Sequence, residues 1–264
     1  MNNDKPYNDY VAGEVGPMGS PIKEIIIQNI EAIVYLDSAD SIQWATYKYE
    51  NFPESFGEIQ NKVSYWESIT NNLFSRKAAY DIKCLLAEAY ARILDNRNIT
   101  TAREIIEQCK ERIIKHGCEI LKQSYAIASL TATIVCLISI LILRYNKNLI
   151  LLNYSNDVYE ILLTMAFGGI GSYMFATIRL KNYVPEIVLS KHIHQLDGIL
   201  RVFYGIIAGL IVAIAIKSNI IFGFLNDIER TIYVSVFLGT IAGASEAFIP
   251  NLIKQVESKT FDNK

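Results

Sequence analysis

Residues Tyr125–Leu143 read "YAIASLTATIVCLISILIL", a stretch without a single charge. About 20 apolar residues suffice to cross a hydrocarbon core as a helix, so this run is long enough to be a span. Three more runs follow: Ile161–Ile178, Val202–Ile216 and Thr231–Phe248. One such run is as easily a buried core helix; four in the second half of one chain predict a membrane domain.

Charge divides the chain in the same way. Residues 1–120 carry 13 Lys+Arg against 18 Asp+Glu, while residues 121–264 carry 12 against 9. Most of the latter lie between the apolar runs. Met1–Ser20 is polar, with glycines and prolines and no apolar centre. No signal peptide is therefore expected there, and the half it leads is expected to be cytoplasmic. With the N-terminus inside, eleven basic residues flank the spans on the cytoplasmic side and four on the other, from Arg144, Lys147, Lys217 and Arg230. That bias predicts four spans with both termini cytoplasmic.

Small residues crowd the later spans. Gly205 and Gly209 make a GxxxG, as do Gly239 and Gly243, and the second span holds Gly168, Gly169, Gly171 and Ser172. Lipid offers no hydrophobic drive for helix association, so close backbone approach through small residues supplies part of it. These stripes serve either packing within one four-helix unit or a subunit interface or pore. In the first span Ser129, Thr133 and Cys136 share a face by spacing; Ser129 and Thr133 either bond their own helix or form a mildly polar pore face. The runs have no ionisable residue near mid-span, which disfavours a proton-coupled transporter.

The soluble half is expected to be helical. Residues 22–36, "IKEIIIQNIEAIVYL", place Ile25, Ile26, Ile30, Ile33 and Val34 near one helical face, although the β-branched content allows a strand. Residues 41–75 are rich in aromatics and read as one or two helices broken at Pro53. Ala78–Leu94, "AAYDIKCLLAEAYARIL", is amphipathic. Thr101 and Glu104 fit a capping box opening a helix with no clear stop before Arg144. The fold class is thus all-α: a cytoplasmic helical domain (21–120) joined by a long helix to a four-helix transmembrane domain (121–253). Residues 1–20 are expected to be disordered or flexible, and 254–264 form a cytoplasmic tail.

Residues 1–75 are acidic, with 4 basic and 11 acidic groups, whereas 76–115 are basic, with 9 against 6. Arg76, Lys77, Lys83, Arg92, Arg97 and Arg103 are the candidate ligand-binding residues, able to hold phosphates, with aromatic neighbours to stack bases. Solvated helix faces are the plainer account. No catalytic constellation is present: there is no phosphate-binding glycine loop, no GxSxG and no HExxH. His192, His194 and Asp197 are read as part of an interfacial helix rather than a metal site. Cys84, Cys109, Cys118 and Cys136 lack paired spacing and are expected to be free thiols. No cofactor, metal or enzyme activity is expected.

Two segments carry a resemblance. "RVFYGIIAGL" (201–210) opens a span with a basic residue, an aromatic and glycine, and "AGASEAFIPNLI" (242–253) closes the next with glycine, Ser-Glu and proline. They resemble a pattern in small bacterial membrane proteins encoded beside phage-defence genes. Where that pattern commonly has an arginine after the glutamate, this chain has Ala247. The layout is similar to the membrane effector of two-gene defence systems such as Hailong, and less so to the Kiwa membrane subunit. The resemblance implies a homo-oligomeric channel of the bacterial inner membrane, taken as a tetramer. It would be gated through its cytoplasmic domain by a nucleotide or single-stranded oligonucleotide from a neighbouring nucleotidyltransferase. A membrane-anchored scaffold recruiting a cytoplasmic partner is the alternative. Glu246, near the cytoplasmic boundary, is expected to pair with Arg201 or Arg179.

Overall fold

The computed structural model describes residues 5–47, 56–96, 98–145, 156–218, 231–245 and 251. The chain divides into two compact units, Met1–Ile120 with Glu186–Ser190, and Leu121–Pro185 with Lys191–Lys264.

The first unit is where the all-α expectation fails. Residues 22–36 are not a helix: β1 (Ile22–Gln28), β2 (Ala32–Asp37) and β3 (Ile42–Thr46) form an antiparallel sheet in the order β1-β2-β3. The isoleucines that imitate a helical stripe belong to two strands and the turn between them. That turn is set by Asn29, whose Oδ1 accepts the N–H groups of Glu31 and Ala32 at 2.8 and 2.7 Å. An asparagine that bonds the backbone two and three residues on closes a turn and competes with helix. Ile30, counted among the helical stripe, is exposed at this corner.

Central strand β2 is buried throughout. Alternate side chains of a strand point to opposite faces. On one face Ile33 and Tyr35 join Ile22, Ala45, Tyr7 and Tyr10 in an apolar cluster. Tyr7 and Tyr10, within the segment 1–20 that was expected to be flexible, are thus packed against the sheet. Tyr7 opens one turn of 3-10 helix (Tyr7–Asp9), and its ring stacks on that of Tyr47 at 4.1 Å. Gln28 Nε2 donates to the carbonyls of Tyr7 and Tyr10 at 2.7 and 2.9 Å, fixing the segment to β1.

The sheet is followed by α1 (Phe56–Leu73) and α2 (Arg76–Asn96). Trp44 of β3 stacks on Tyr90 of α2 at 5.9 Å and meets Phe56 edge-on at 5.2 Å. Both faces of β2 are therefore covered, which explains its near-continuous apolar sequence. Helix α3 (Ile99–Tyr145) begins two residues earlier than the capping-box reading. Its cap is Asn98, whose Oδ1 accepts the Thr101 N–H at 3.1 Å. It passes Gly117 unbroken for 47 residues, about 70 Å at 1.5 Å per residue. Residues Ile99–Ile120 of this helix belong to the first unit and Leu121–Tyr145 to the second.

The second unit also holds α4 (Asn156–Arg179), α5 (Lys191–Lys217) and α6 (Thr231–Ala244). Helices α3, α4 and α5 are long and apolar enough to cross a membrane, consistent with a membrane protein; α6, with 14 residues, is shorter. The predicted fourth span continues to Phe248, and residues 246–248 lie outside the described residues.

Candidate functional site

The predicted ligand-binding residues do not converge. Three of them meet at the β2–β3 turn, "DSAD" (37–40), which is built from its own side chains. Asp37 Oδ1 accepts the N–H groups of Ala39 and Ser41 at 2.9 and 2.8 Å. Asp40 sits at φ +61°, a left-handed conformation that aspartate tolerates better than most residues. This places the Asp40 carboxylate, only 3% exposed, among cations. Lys23 Nζ and Arg76 Nε both donate to it. Lys83 is buried, and its ammonium donates to the Asp40 carbonyl at 2.6 Å. Arg76 also donates to the Ser38 carbonyl at 2.5 Å.

Bonds from Lys23 first, then Arg76, hold the Asp40 carboxyl below its ordinary pKa. Nearby Glu67 is shifted the other way: burial raises it, although it accepts the Ile42 N–H at 2.9 Å. The turn opens onto a cavity of about 520 Å³ lined by Lys23, Asp40, Arg76, Lys77, Tyr80 and Asp81. Lys23 Nζ lies 4.6 Å above the Tyr80 ring. The lining sets three cations and one aromatic face beside two carboxylates, of which Asp40 already bonds Lys23 and Arg76; the net positive charge suits an anionic group. Lys23 and Tyr80 were not among the predicted residues. Lys23 comes from strand β1, which the helical reading removed, and Tyr80 lies on α2, where the basic-residue count passed over it.

The other predicted residues lie elsewhere. Arg92 pairs with Glu88 at 2.5 Å, in the ordinary i,i+4 manner, and Arg97 lies outside the described residues. Arg103 bonds Glu58 at 2.8 Å beside a groove of about 620 Å³ that includes Tyr65, Trp66, Lys62 and Lys110. That groove has aromatics and cations but also Glu104 and Glu107.

In the second unit every predicted glycine of the described spans packs within the chain. A Cβ on Gly205 would stand 2.6 Å from the Gly168 carbonyl, and one on Gly209 would stand 2.5 Å from that of Thr164. From α6, a Cβ on Gly243 would be 2.9 Å from Gly168 Cα, and one on Gly239 would be 2.7 Å from Thr164 Cγ2, so α6 meets the same α4 residues as α5. Gly171 faces Thr240 and Ala244, and a Cβ on Gly169 would be 3.1 Å from Ile206 Cγ1. Helix α4 therefore meets two GxxxG faces through its own stripe Thr164, Gly168 and Ser172 at four-residue spacing. Thr164 escaped the sequence reading, though that spacing marks it. Ser129 and Thr133 are buried and bond carbonyls of their own helix, to Ala126 at 3.0 Å and to Ser129 at 2.9 Å.

At one end of this bundle Lys217 of α5 pairs with Asp157 and Glu160 of α4, at 2.8 and 2.6 Å, and Ser235 of α6 donates to Glu160 at 3.1 Å. A lone lysine closing an apolar run gave no sign of this. At the other end the guanidinium groups of Arg179 and Arg201 lie over one ring, that of Phe175, at 4.4 and 5.3 Å. Glu246, their expected partner, lies outside the described residues. His194 is buried, with Nδ1 3.0 Å from the Tyr183 hydroxyl, while His192 meets Gln195 at the surface.

Compared with protein-family models, with curated proteins and with solved structures, the chain matches none.

Proposed function

We propose that the chain is the membrane subunit of a bacterial phage-defence system, a homo-oligomeric channel of the inner membrane with cytoplasmic termini and four spans. Its first unit takes a nucleotide-derived anion at the Asp40 turn, and binding there changes the state of the spans. The observation that carries this reading is helix α3, one uninterrupted element with residues in both units. A continuous helix gives binding in the first unit a direct covalent path to the spans. The chemistry of the turn adds to it: Arg76, Lys77 and Lys23 present positive charge, and Tyr80 presents a ring for stacking. Purified protein in liposomes would be tested for ion flux with a panel of linear and cyclic oligonucleotides. Flux that depends on one of them and is lost in Arg76→Ala/Lys77→Ala supports the reading. Silence under every ligand, in a preparation shown to be folded, sinks it.

A membrane-anchored scaffold is the second reading. It is favoured by the glycine stripes, which are consumed inside one chain, and by the Ser129 and Thr133 hydroxyls, which are satisfied within their own helix. Replacing residues 125–264 by an unrelated anchor separates the two: a scaffold keeps its cellular activity and a channel loses it.

A further inference from the structure

Helix α5 sorts its residues onto two faces by type. Gly198, Val202, Gly205, Ala208, Gly209 and Val212 are buried within the chain. The Gly198 backbone lies against α3, where an added Cβ would be 2.6 Å from the Tyr125 carbonyl, and that of Gly205 lies against α4. The opposite face carries large apolar side chains at intervals of three and four: Ile193, Leu196, Leu200, Phe203, Ile207, Leu210 and Ile214. All are exposed except Leu210, which is half-buried.

That spacing is an unbroken heptad register, with isoleucine, leucine or phenylalanine at every a and d position over three heptads. Lipid asks only that a facing side chain be apolar and sets no period of 3.5. A seven-residue repeat keeps one seam toward a neighbouring helix as the two supercoil. Part of the seam also lies beyond what hydrocarbon can cover. At 27 residues α5 is about 40 Å long, against about 30 Å for a hydrocarbon core. The surplus is at its N-terminal end, which holds Lys191, Asp197 and Arg201; the charge-free run begins at Val202. Ile193, Leu196 and Leu200 are therefore exposed apolar side chains outside that run, and burial against protein removes them from water. The exposed Ile127, Ile134 and Ile138 of α3 differ, because they lie inside the charge-free run 125–143, where hydrocarbon suffices.

Copies of one chain enter a bilayer the same way up, so rotation about the membrane normal relates them and α5 meets its own copy in parallel. In a parallel seam the g residue of one heptad meets the e residue of the partner's next. Here those are His192 and Asp197, both exposed and of compatible charge.

We propose that the face of α5 from Ile193 to Ile214 is a parallel, in-register interface with the same face of a second copy of this chain. The proposal deepens the homo-oligomer part of the reading above by naming its contact; it rests on that part and on nothing about ligand or flux.

Leu196→Cys and Phe203→Cys, at d positions, are placed singly in the full chain and oxidised with copper phenanthroline in native membranes. In such a seam each residue meets its own copy. Both variants should therefore give a disulfide-linked dimer on a non-reducing gel, at least several-fold above the unmodified chain, with like linked to like by peptide mass spectrometry. The unmodified chain accounts for the native cysteines, and Ile127→Cys, exposed on α3, accounts for random collision. Adding Leu196→Asp/Leu200→Asp to Phe203→Cys should bring its dimer down to the Ile127→Cys level. Both leucines are exposed in the single chain, so circular dichroism should show the fold retained, and Leu200→Gln alone serves if the pair does not fold. No dimer above the Ile127→Cys level overturns the seam, as does a dimer that the folded aspartate variant leaves unchanged. Light scattering of the unmodified chain in mild detergent separates the failures. A multi-chain mass without the dimers overturns the seam and leaves a homo-oligomer built elsewhere, whereas a single-chain mass without them removes both. Dimers at both positions without ligand-dependent flux uphold the seam and count against the channel alone.

Discussion

The two units hold themselves together in opposite ways. The first fills its interior with large side chains: Tyr35, Ile33, Leu36, Ile59, Leu86 and Ile93 are all wholly buried. The second removes side chains and brings backbones together, with Gly168 of α4 against Gly205 and Gly209 of α5 and Gly243 of α6. The difference follows from the solvent. Apolar area removed from water is worth about 25 cal/mol per Å², so bulk stabilises the first unit. Helices already surrounded by hydrocarbon gain nothing from that transfer, and close van der Waals contact takes its place.

The hardest test of this contrast is to put bulk where the backbone packs. Gly168→Leu should be the most disruptive change, costing about 3 kcal/mol, the upper end for overpacking, because a Cβ there already meets main chain of α5. Loss of a monodisperse peak in detergent, or early unfolding in a denaturing-detergent titration, reads it out. A fully stable Gly168→Leu protein would remove the basis for the close clasp. Leu86→Ala does the reverse in the first unit and should cost about 2–5 kcal/mol by the lost transfer and the cavity left behind. Chemical denaturation of the first unit measures it.

The polar turn sharpens the comparison, because the first unit buries charge as well as bulk. Asp40→Asn keeps the left-handed backbone tolerable but removes charge-assisted bonds, at about 1.5–3 kcal/mol. Its pH dependence has a definite sign. The folded carboxyl titrates below its ordinary value of 3.8, so its contribution is complete above that value and is lost as pH falls through the folded pKa. Melting temperature followed from pH 6 down to 2.5 should therefore fall less steeply in Asp40→Asn than in the unmodified protein. Burial pushes the Cys84 thiol up to about 11, so a maleimide reagent should label it slowly at pH 7.5 and much faster as pH approaches that value. The smallest effect belongs to Gly57. It lies in α1, and a Cβ there meets nothing within 4 Å, so Gly57→Ala should stabilise by about 0.4–1 kcal/mol. Identical small effects at Gly57 and Gly168 would break the comparison outright.

The apolar helices were legible because their signal is local: a run such as Tyr125–Leu143 reports its own character without reference to anything else. So was Ala78–Leu94, which lies within α2 and shows an amphipathic period. Strands β1 and β2 were not, because Ile25, Ile26, Ile30, Ile33 and Val34 satisfy a helical period and a hairpin equally well. The decision rests on Asn29 closing a turn and on Trp44 and Tyr7 covering the two faces of a sheet, and those partners are distant in sequence. The same blindness hid part of the candidate site. Arg76, Lys77 and Lys83 were visible as a basic cluster, but Lys23 comes from a strand, and Asp40, which gathers them, looked like any surface acid.

By itself the sequence determined where hydrocarbon can stand in for water, where charge is excluded and which faces carry small residues, since each of these depends on composition and short-range spacing. Only the tertiary structure decided that residues 22–46 pair as strands. It alone determined that the glycines are spent against α4, that Lys217 bridges to Asp157 and Glu160, and that Arg179 and Arg201 share the ring of Phe175. Such facts depend on which residues far apart in the chain become neighbours, and pairing over long separations is settled by packing free energy rather than local preference.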